Sequence, residues 1–399
     1  MEGRITAQRV KALVQAGHMD AVAIRRHLHA RPELSFQEQE TGRYIAERLR
    51  EWGIGVRTGI AGTGVIGVVK GARPGRTVCL RADIDALPVQ EAEGLPYRSQ
   101  NPGVMHACGH DAHTAMVLAA GRVLHALRQE WDGTVLLLFQ PGEEKIPGGA
   151  SLVLKEGALR DPAPDAIIGQ HVTPELEVGK VGFHAGPFMA SSDELYLTVK
   201  GKGGHAAQPE KLVDPIMVAA RLLLTLKEEF EAWRKDRQVV LGFGRVLADG
   251  ATNVVPDEVK IAGTLRTFDE SLRAELHQWL PRRAGEICTA HGAACEFEVR
   301  RGYPVLVNDG PLTVRMRRAA EEFLGPGQVV DMPRRMGSED FAFYTQVMAG
   351  CFFRLGTGNP KKGPAPGLHT PAFNIAEEGM AIGAGVMAWG ALRELGRSC

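Results

Sequence analysis

One ten-residue segment, Met105-His-Ala-Cys-Gly-His-Asp-Ala-His-Thr114, gathers three histidines, a cysteine and an aspartate just before a helical pattern. Thiolate and imidazole are the ligands that zinc and similar borderline-soft metals prefer. A thiolate at a helix N-terminus is also stabilised by the helix dipole and by unpaired backbone N–H groups. A structural helix cap explains the segment less well, because buried structural positions seldom collect so many ionisable groups. The segment therefore predicts a metal site.

Polar side chains also follow three short apolar strands of the predicted sheet. They are Asp83 and Asp85 after Thr77–Arg81, Glu143 and Glu144 after Thr134–Phe139, and His171 after Ala166–Gly169. Ligands of open α/β sheets gather beyond the carboxyl ends of the strands. We therefore expect one edge of the sheet to hold a polynuclear metal site, with a further imidazole from His369 in a turn-rich loop.

Such a site has a definite chemistry. A divalent metal lowers the pKa of bound water and polarises a carbonyl, and a second metal can clamp the attacking oxygen. The reaction also needs a base that takes the proton of the water and returns it to the leaving nitrogen. The adjacent pair Glu143-Glu144 can divide this work, with one carboxylate on metal and the other beside the water.

The helices and strands predicted around these residues indicate an α/β protein. Short continuous apolar strands such as Val135-Leu-Leu-Leu-Phe139 predict a buried, mostly parallel sheet. From about Gly182 the order becomes strand, helix, strand, strand, helix, strand, which predicts a ferredoxin-like α+β insertion. We also expect one helix over Thr6–His29, and an exposed edge strand at Glu194–Lys200 through which a dimer would pair.

The composition of the chain indicates which binding partners and which cellular compartment to expect. The 47 basic residues balance 47 acidic ones, which argues against a general affinity for nucleic acid or anionic membranes. We find no apolar run long enough to span a bilayer and no secretory signal pattern at the N-terminus. Six scattered cysteines do not suit a disulfide framework, so a reducing, cytoplasmic setting is expected.

In combination and order, these motifs resemble the M20 metallopeptidase superfamily. The similar branch is that of amidohydrolases, which includes hippurate hydrolases, N-acyl-amino-acid amidohydrolases, indole-acetyl-amino-acid hydrolases and thermostable carboxypeptidases. The resemblance covers nearly the whole chain. It rests on segments 26–35, 81–88 and 105–114, on Glu143-Glu144 and His171, and on segments 337–341 and 368–371.

The resemblance implies a fold and a set of roles in the site. It implies a zinc-peptidase-like catalytic domain of residues 1–182 and 297–399, interrupted by a lid and dimerisation domain of residues 183–296. Carried over by position, Cys108 is the bridging ligand and Glu143 the general base and acid. The two metal sites are completed by His110, Glu144, His171 and His369, with Asp85 and His113 orienting ligands.

The resemblance also gives the inserted domain a role. It implies that His205, in a glycine-rich turn, stabilises the oxyanion across a dimer interface. Asn253 and Arg266 match motifs that grip the substrate, and an arginine fork suits a carboxylate, although both also fit structural turn and strand positions. One departure is Lys145-Ile-Pro-Gly148, where many relatives have glycine directly after the glutamate pair; it is expected to affect the loop and substrate preference.

The sequence therefore predicts an enzyme that binds two divalent metal ions and acts on small molecules. We expect zinc, with manganese or cobalt as alternatives, a homodimer or higher homo-oligomer, and hydrolysis of an amide bond in N-acyl amino acids or short peptides. One alternative is a metallo-carboxypeptidase or dipeptidase acting mainly on peptides. A second makes Cys108 a covalent nucleophile, which chelators would not inhibit. A third is a non-catalytic metal-binding homologue, which would hydrolyse no member of a broad substrate panel.

Overall fold

The computed structural model describes residues 5–235, 237–359, 363 and 365–396, which contain both helices and strands. Cys399, one of the six cysteines of the sequence, lies outside these residues. The helices are α1 (Ala7–Ala16), α2 (His18–His29), α3 (Gln39–Glu51), α4 (His110–Ala126), α5 (Gly149–Lys155), α6 (Pro215–Arg234), α7 (Glu270–Ala290), α8 (Gly310–Leu324), α9 (Ala342–Thr345) and α10 (Gly379–Leu395).

The strands are short and lie throughout the chain. They are β1 (Gly55–Ile60), β2 (Gly64–Lys70), β3 (Thr77–Asp83), β4 (Thr134–Gln140), β5 (Ala166–Glu177), β6 (Val181–Phe183), β7 (Gly186–Met189), β8 (Asp193–Lys200), β9 (Gly204–His205), β10 (Val239–Leu247), β11 (Val254–Val255), β12 (Glu258–Thr267), β13 (Ala294–Arg301), β14 (Leu306–Asn308), β15 (Val329–Asp331) and β16 (Gly350–Gly358).

Two compact units make up the chain. The first comprises the described residues of Met1–Gly186, Val307–Pro333 and Asp340–Cys399, and the second comprises Pro187–Leu306 and Arg334–Glu339. Each unit has its own hydrophobic core. The second unit includes all of β13 and so extends past the boundary at residue 296 expected from the sequence. The assignment of a catalytic and a lid role to these domains stays a prediction.

The first unit is built on an eight-stranded sheet in the order β1-β2-β4-β3-β5-β16-β6-β15. Its centre is parallel, because β3 pairs in parallel with both β4 and β5, and β5 pairs in parallel with β16. These strands are buried along most of their length, as expected for a parallel sheet covered on both faces. The prediction of an α/β fold with a mostly parallel sheet is confirmed.

Helix α4 brings the predicted metal-binding segment to this sheet. It begins at His110, directly after Gly109, whose positive φ of 85° suits a residue without a side chain. Halfway along α4, Gly121 packs so closely on β4 that a Cβ there would lie 2.2 Å from Leu137. The helix is therefore fixed against the sheet at its middle while its first residues reach the sheet edge.

The second unit has the topology that its sequence order predicts. Strands β8, β10, β12 and β13 form an antiparallel sheet in the order β10-β12-β8-β13, with α6 and α7 as its two helices. This is the arrangement of a ferredoxin-like β-α-β-β-α-β unit. Both helices start at aspartate caps: Asp214 accepts hydrogen bonds at the start of α6, and Asp269 does so at the start of α7.

The expectation that Glu194–Lys200 is an exposed edge strand is wrong. That segment is most of β8, which pairs with β12 on one side and with β13 on the other. Its alternating sequence reflects one buried and one more exposed face of the sheet, and it carries no information on hydrogen-bonding neighbours. The edges of this sheet are β10 and β13.

Two further expectations concern membranes and disulfides. None of the helices within the described residues combines the length and the apolar character that crossing a bilayer requires. The five cysteines that the structure describes, Cys79, Cys108, Cys288, Cys295 and Cys351, are free thiols.

Candidate metal centre

The parallel centre of the large sheet brings the predicted ligand segments to one edge. Strand β3 ends at Asp83 and β4 at Gln140, opposite one another in the parallel register. His171 lies inside β5, which is longer than expected, but the pairing of β5 with β3 ends two residues earlier at Gly169. The backbone at His171 therefore passes the end of β3, near the segments that follow β3 and β4.

Cys108 is at the centre of a cluster of all five predicted ligands. Its Sγ lies 3.3 Å from His171 Nε2 and 3.3 Å from His369 Nε2. Oε1 of Glu144 lies 3.3 Å from His369 Nε2 and 4.0 Å from His110 Nε2. Ligand atoms fall into two overlapping groups, each within 4.8 Å: Cys108 with His110 and His171, and Cys108 with Glu144 and His369. Cys108 belongs to both groups, as a bridging ligand would.

Hydrogen bonds decide which nitrogen of two imidazoles is available to a metal. The Nδ1 of His110 bonds Asp85 Oδ1 at 3.1 Å, and that of His171 bonds the Val172 carbonyl at 2.7 Å. In the neutral imidazole, each bond places the hydrogen on Nδ1 and leaves the lone pair on Nε2, the nitrogen directed into the cluster.

The cluster passes a test of fit for metal. His110 Nε2 and Glu144 Oε1 are buried without a hydrogen-bond partner, which is rare in proteins unless another group binds them. A tetrahedral ion at about 2.3 Å from sulfur and 2.0 Å from nitrogen holds those ligand atoms roughly 3.5 Å apart. The observed sulfur–nitrogen distances of 3.3 Å are close to that spacing.

Electrostatics in the cluster also favour a bound cation. Burial, and then the charges of Glu144, Glu143 and Asp83, raise the pKa of Cys108 well above its usual value. A thiolate in this position therefore needs a positive partner. Burial, followed by the charges of Arg354 and His113, lowers the pKa of His171 and keeps its imidazole neutral, as metal binding requires.

His113 forms a hydrogen bond with the backbone beside the predicted ligand His171. Its Nδ1 bonds Asp83 Oδ1 at 2.6 Å, and its Nε2 accepts the N–H of Val172, the residue after His171, at 3.0 Å. Both ring nitrogens are thus engaged, although His113, Asp83 and His110 have potential ligand atoms within 4.8 Å of one another. Asp83 is held in turn by Arg81, whose Nη1 donates to it at 2.8 Å.

Glu143 is buried beside the same cluster. It is 7% exposed, and one of its carboxylate oxygens lies within 4.8 Å of ligand atoms of both His110 and Glu144. The two glutamates follow a turn at Gly142, where φ is 62°. Adjacent carboxylates thus reach the same group of atoms, one of them beside the Cys108 and His369 side chains.

The three predicted lid residues all lie in the second unit. His205 and Asn253 are neighbours there: His205 pairs with Val254 across β9 and β11, and the Asn253 carbonyl accepts from Ala206 N–H at 3.1 Å. Both side chains are exposed. Arg266 lies on β12, half-buried, and its Nη1 donates to the Met336 carbonyl at 3.1 Å. Burial lowers the pKa of Arg266.

One buried network was missed by sequence reasoning. Asp111, directly after His110, accepts from Arg25 Nε at 3.0 Å and from His29 Nδ1 at 2.8 Å, and His29 Nε2 bonds Glu91 at 2.9 Å. The available signal was the spacing of Arg25 and His29, which places two polar side chains four residues apart on one face of α2. The network anchors the start of α4, where the predicted ligand His110 lies.

Comparisons with known proteins find similar sequences and a similar fold. The sequence model of the family described as Peptidase family M20/M25/M40 matches residues 79–391. An N-acyl-L-amino acid amidohydrolase of Geobacillus stearothermophilus is 41% identical over 305 residues, which cover 76% of this chain and 82% of that protein. Thermostable carboxypeptidase 2 of Saccharolobus solfataricus is 34% identical over 368 residues, covering 91% and 92% respectively. The solved structure of a Bacillus subtilis protein, described as a dinuclear metal-binding peptidase, matches with a TM-score of 0.83 and 36% identity over 96% of this chain and 99% of that one.

Proposed function

This chain belongs to the M20/M25/M40 peptidase family of hydrolases, and from that premise we propose that it hydrolyses an amide bond in N-acyl amino acids or short peptides, releasing an amino acid with a free carboxylate. The observation that carries the proposal is the convergence of five ligand side chains on Cys108, with Glu143 beside them. Family membership by itself identifies the chain as a metal-dependent amidohydrolase or peptidase, without specifying its substrate.

The proposed substrates share a carboxylate next to the bond that is cleaved. An acyl-amino-acid hydrolase and a carboxypeptidase both release an amino acid, and the similar proteins carry both names. Arg266 supports the proposal, because a guanidinium has five N–H donors and its bond to the Met336 carbonyl uses one of them. Asn253 would add an amide to the same carboxylate. The runner-up is a carboxypeptidase or dipeptidase that acts mainly on peptides.

Two divalent ions would be held by the cluster already described. The residues are Cys108, His110, Glu144, His171 and His369, with Cys108 shared between the two ions. When bound, such ions polarise the scissile carbonyl and lower the pKa of the attacking water. We propose zinc because thiolate and imidazole suit it, with manganese or cobalt as alternatives.

The proton transfers are assigned to Glu143. Its carboxylate would take a proton from the attacking water and deliver it to the leaving nitrogen, since it lies beside the ligand atoms without being one of the five. His205 would donate a hydrogen bond to the oxyanion. Its Nδ1 accepts the N–H of Ala207 at 3.1 Å, which places the ring hydrogen on Nε2, where it can be donated.

A covalent mechanism through Cys108 is less well supported. A nucleophilic cysteine needs a lowered pKa, whereas burial and nearby carboxylates raise that of Cys108. The Sγ also lies between two imidazole nitrogens whose lone pairs suit a shared metal. Inhibition by a chelator and recovery with zinc, manganese or cobalt would reject the metal-free thiol mechanism.

We also propose a homodimer, or a higher homo-oligomer, formed through the second unit. Support comes from large apolar side chains exposed on that unit, including Met217 and Leu224 on α6 and Val246 on β10. Strand β10 is also an edge of its sheet. Light scattering should give at least twice the chain mass for the wild type and a smaller mass for the Met217→Glu, Leu224→Glu double variant. A monomeric wild type would contradict the proposal.

The reaction itself is tested with one substrate panel. The protein is loaded separately with zinc, manganese and cobalt and given benzoyl-, acetyl- and aminoacyl-amino acids, with products identified by mass spectrometry. We expect release of the free amino acid. The buffer is reducing, because we propose a cytoplasmic location, and it contains no nucleic acid or lipid, because we propose neither as a partner. Hydrolysis of dipeptides alone would favour the carboxypeptidase or dipeptidase assignment. No hydrolysis with any metal would leave a non-catalytic metal-binding homologue.

A further inference from the structure

Three buried carboxylates from distant parts of the chain hold the loop 141–150, which carries Glu143. The Gly142 N–H donates to Glu38 Oε1 at 2.8 Å, and the Glu144 N–H donates to Asp85 Oδ2 at 3.0 Å. The Ala150 N–H donates to Asp340 Oδ2 at 2.9 Å. Backbone hydrogen bonds to carboxyl oxygens thus hold this segment at residues 142 and 144 and, in the first turn of α5, at residue 150.

The three carboxylates differ in what else they bind. Asp85 also bonds the ligand His110, and Asp340 also accepts from Arg81 at 2.8 Å, so replacing either would disturb more than the loop. Glu38 accepts a second hydrogen bond from the Thr63 hydroxyl at 2.8 Å. Its contact with the loop is at Gly142, the residue before Glu143.

We propose that Glu38 is a positioning residue that sets the orientation of Glu143 through the Gly142 N–H. The proposal rests on the proposed role of Glu143 as base. Glu38 is fully buried, and its hydrogen bond ends one residue from the reacting carboxylate. A base must lie within hydrogen-bond reach of the proton it takes, so a small turn of the peptide at Gly142 would move Glu143 out of range.

The backbone at Gly142 needs such an anchor. Its φ is 62°, and a Cβ there would lie 2.3 Å from the ring of Phe36, a residue that itself has a φ of 67°. Two residues in the left-handed region thus face one another, and glycine fits where a larger residue would clash. Because Gly142 is buried, its N–H also needs an acceptor, and Glu38 supplies it.

Burying the Glu38 carboxyl group near Asp85 costs free energy, which supports a specific role for Glu38. Burial, and then the charge of Asp85, raise the pKa of Glu38. A residue chosen for stability alone would avoid a buried carboxylate beside another one. The same segment reaches the site a second time, because the Ser35 hydroxyl donates to Asp85 Oδ2 at 2.7 Å. Segment 35–38 therefore touches the supports of both His110 and Glu143.

Glu33, five residues before Glu38, provides a matched control. Its carboxylate accepts the N–H and the hydroxyl of Thr41, both at 2.8 Å, and so binds helix α3 instead of the glutamate loop. Glu33→Ala removes a nearby glutamate and weakens the start of α3. Glu38→Gln keeps an oxygen for the Gly142 N–H and serves as the conservative variant. Thr63→Val removes the hydroxyl that orients Glu38.

The test uses the full chain loaded with metal, and it measures turnover, metal content and hydrogen–deuterium exchange. For Glu38→Ala we expect kcat to fall about ten- to hundredfold, KM to stay within about twofold, and metal content to match the wild type. Exchange should become faster in the peptide that contains Gly142. Glu38→Gln should stay within about threefold of wild-type kcat, and Glu33→Ala should change neither kcat nor exchange at Gly142.

Several results would overturn the proposal. One is a kcat for Glu38→Ala equal to that of Glu33→Ala. Another is a loss of kcat in Glu38→Ala that is proportional to a loss of bound metal. A third is a rate of hydrogen–deuterium exchange at Gly142 that is the same in Glu38→Ala as in the wild type. If Glu38→Ala does not fold, Thr63→Val decides: faster exchange at Gly142 with a lower kcat supports the proposal, and wild-type values overturn it. An inactive wild type would contradict the proposed function. Hydrogen–deuterium exchange at Gly142, compared between Glu38→Ala and the wild type, would still decide whether Glu38 holds the loop.

Discussion

Most predicted site residues of the first unit are buried and held by other side chains, with His369 as an exposed exception, whereas two of the three predicted in the second unit are exposed. Cys108, His110 and Glu143 are each less than a tenth exposed, and a carboxylate fixes the imidazole of His110. His205 and Asn253, by contrast, are exposed residues on or beside a two-residue strand pair. Buried, supported side chains are preorganised, so their replacement should remove chemistry; exposed ones gain their role only on meeting a partner or substrate.

The largest effect on turnover is expected at the centre of the buried region. Glu143→Gln should lower kcat about 10²- to 10⁴-fold with nearly normal metal content, because it removes the base and keeps the shape. Glu144→Gln is the matched control, since it should lose metal together with activity. Stopped-flow turnover and metal analysis check both variants, and wild-type turnover in Glu143→Gln would refute the assignment of the base.

The corresponding change in the exposed region is His205→Ala. Loss of one oxyanion donor should lower kcat about 10²- to 10³-fold without changing metal content or the melting temperature, because the side chain is exposed in the free protein. His291→Ala, in the same unit, is the control and should have wild-type kinetics. If the two variants behave alike, His205 has no part in the reaction and the proposed role of the exposed region fails.

A smaller effect should come from a supporting residue of the buried region. His113→Ala removes the link from Asp83 to the Val172 N–H, and we expect metal affinity to fall about ten- to hundredfold. His125→Ala, near the other end of α4, should bind metal as the wild type does. Competition with a chelating dye measures both affinities, and equal values would show that His113 does not position His171.

The smallest effect on turnover is expected from His29, which should instead alter the pH dependence of stability. Burial alone would lower the pKa of His29, but the charge of Asp111 and hydrogen bonds to Asp111 and Glu91 raise it to about 9. The folded value exceeds the usual 6.5 of an unfolded chain, so the stabilisation is full below pH 6.5 and is lost as the pH rises towards 9. At 1.36 kcal/mol per pKa unit the loss is about 3 kcal/mol.

The measurement is the difference in unfolding free energy between the wild type and His29→Gln from pH 6 to pH 9. That difference should shrink as the pH rises. His27, two residues earlier on α2, is the control of opposite sign, because burial and then the charges of Arg31 and Arg48 lower its pKa. Its contribution to stability is lost as the pH falls. Parallel pH curves for His29→Gln and His27→Gln would contradict at least one of the two assignments.

Several features of the fold were predictable because they depend on local pattern and general topology. Continuous apolar strands gave the buried parallel sheet, and the order of elements gave the ferredoxin-like unit. Boundaries were less predictable: the single helix expected over Thr6–His29 is two helices, because Gly17 leaves helical geometry at φ −90° and ψ 1°. Glycine is the residue at which a helix is most easily interrupted, apart from proline.

The sequence by itself determined the chemistry that the chain can perform. Residue types and spacing identified the metal-binding segment and the glutamate pair, and the family membership that they implied is confirmed. The predicted ligands Glu144 and His171 come together because parallel strands end at a common edge, which is a general property of such sheets. The individual catalytic, ligand and substrate-binding roles stay predictions, of which the variants above test those of Glu143, Glu144 and His205.

Only the tertiary structure decided how these residues are supported. That His113 uses both nitrogens on Asp83 and Val172, that β8 is an inner strand, and that Glu38 reaches Gly142 all depend on contacts between segments far apart in sequence. Periodicity reports which face of an element is buried, whereas a hydrogen-bond partner is set by how the chain packs in three dimensions. The candidate reacting groups could therefore be predicted from the sequence, but the groups that hold them in place required the folded chain.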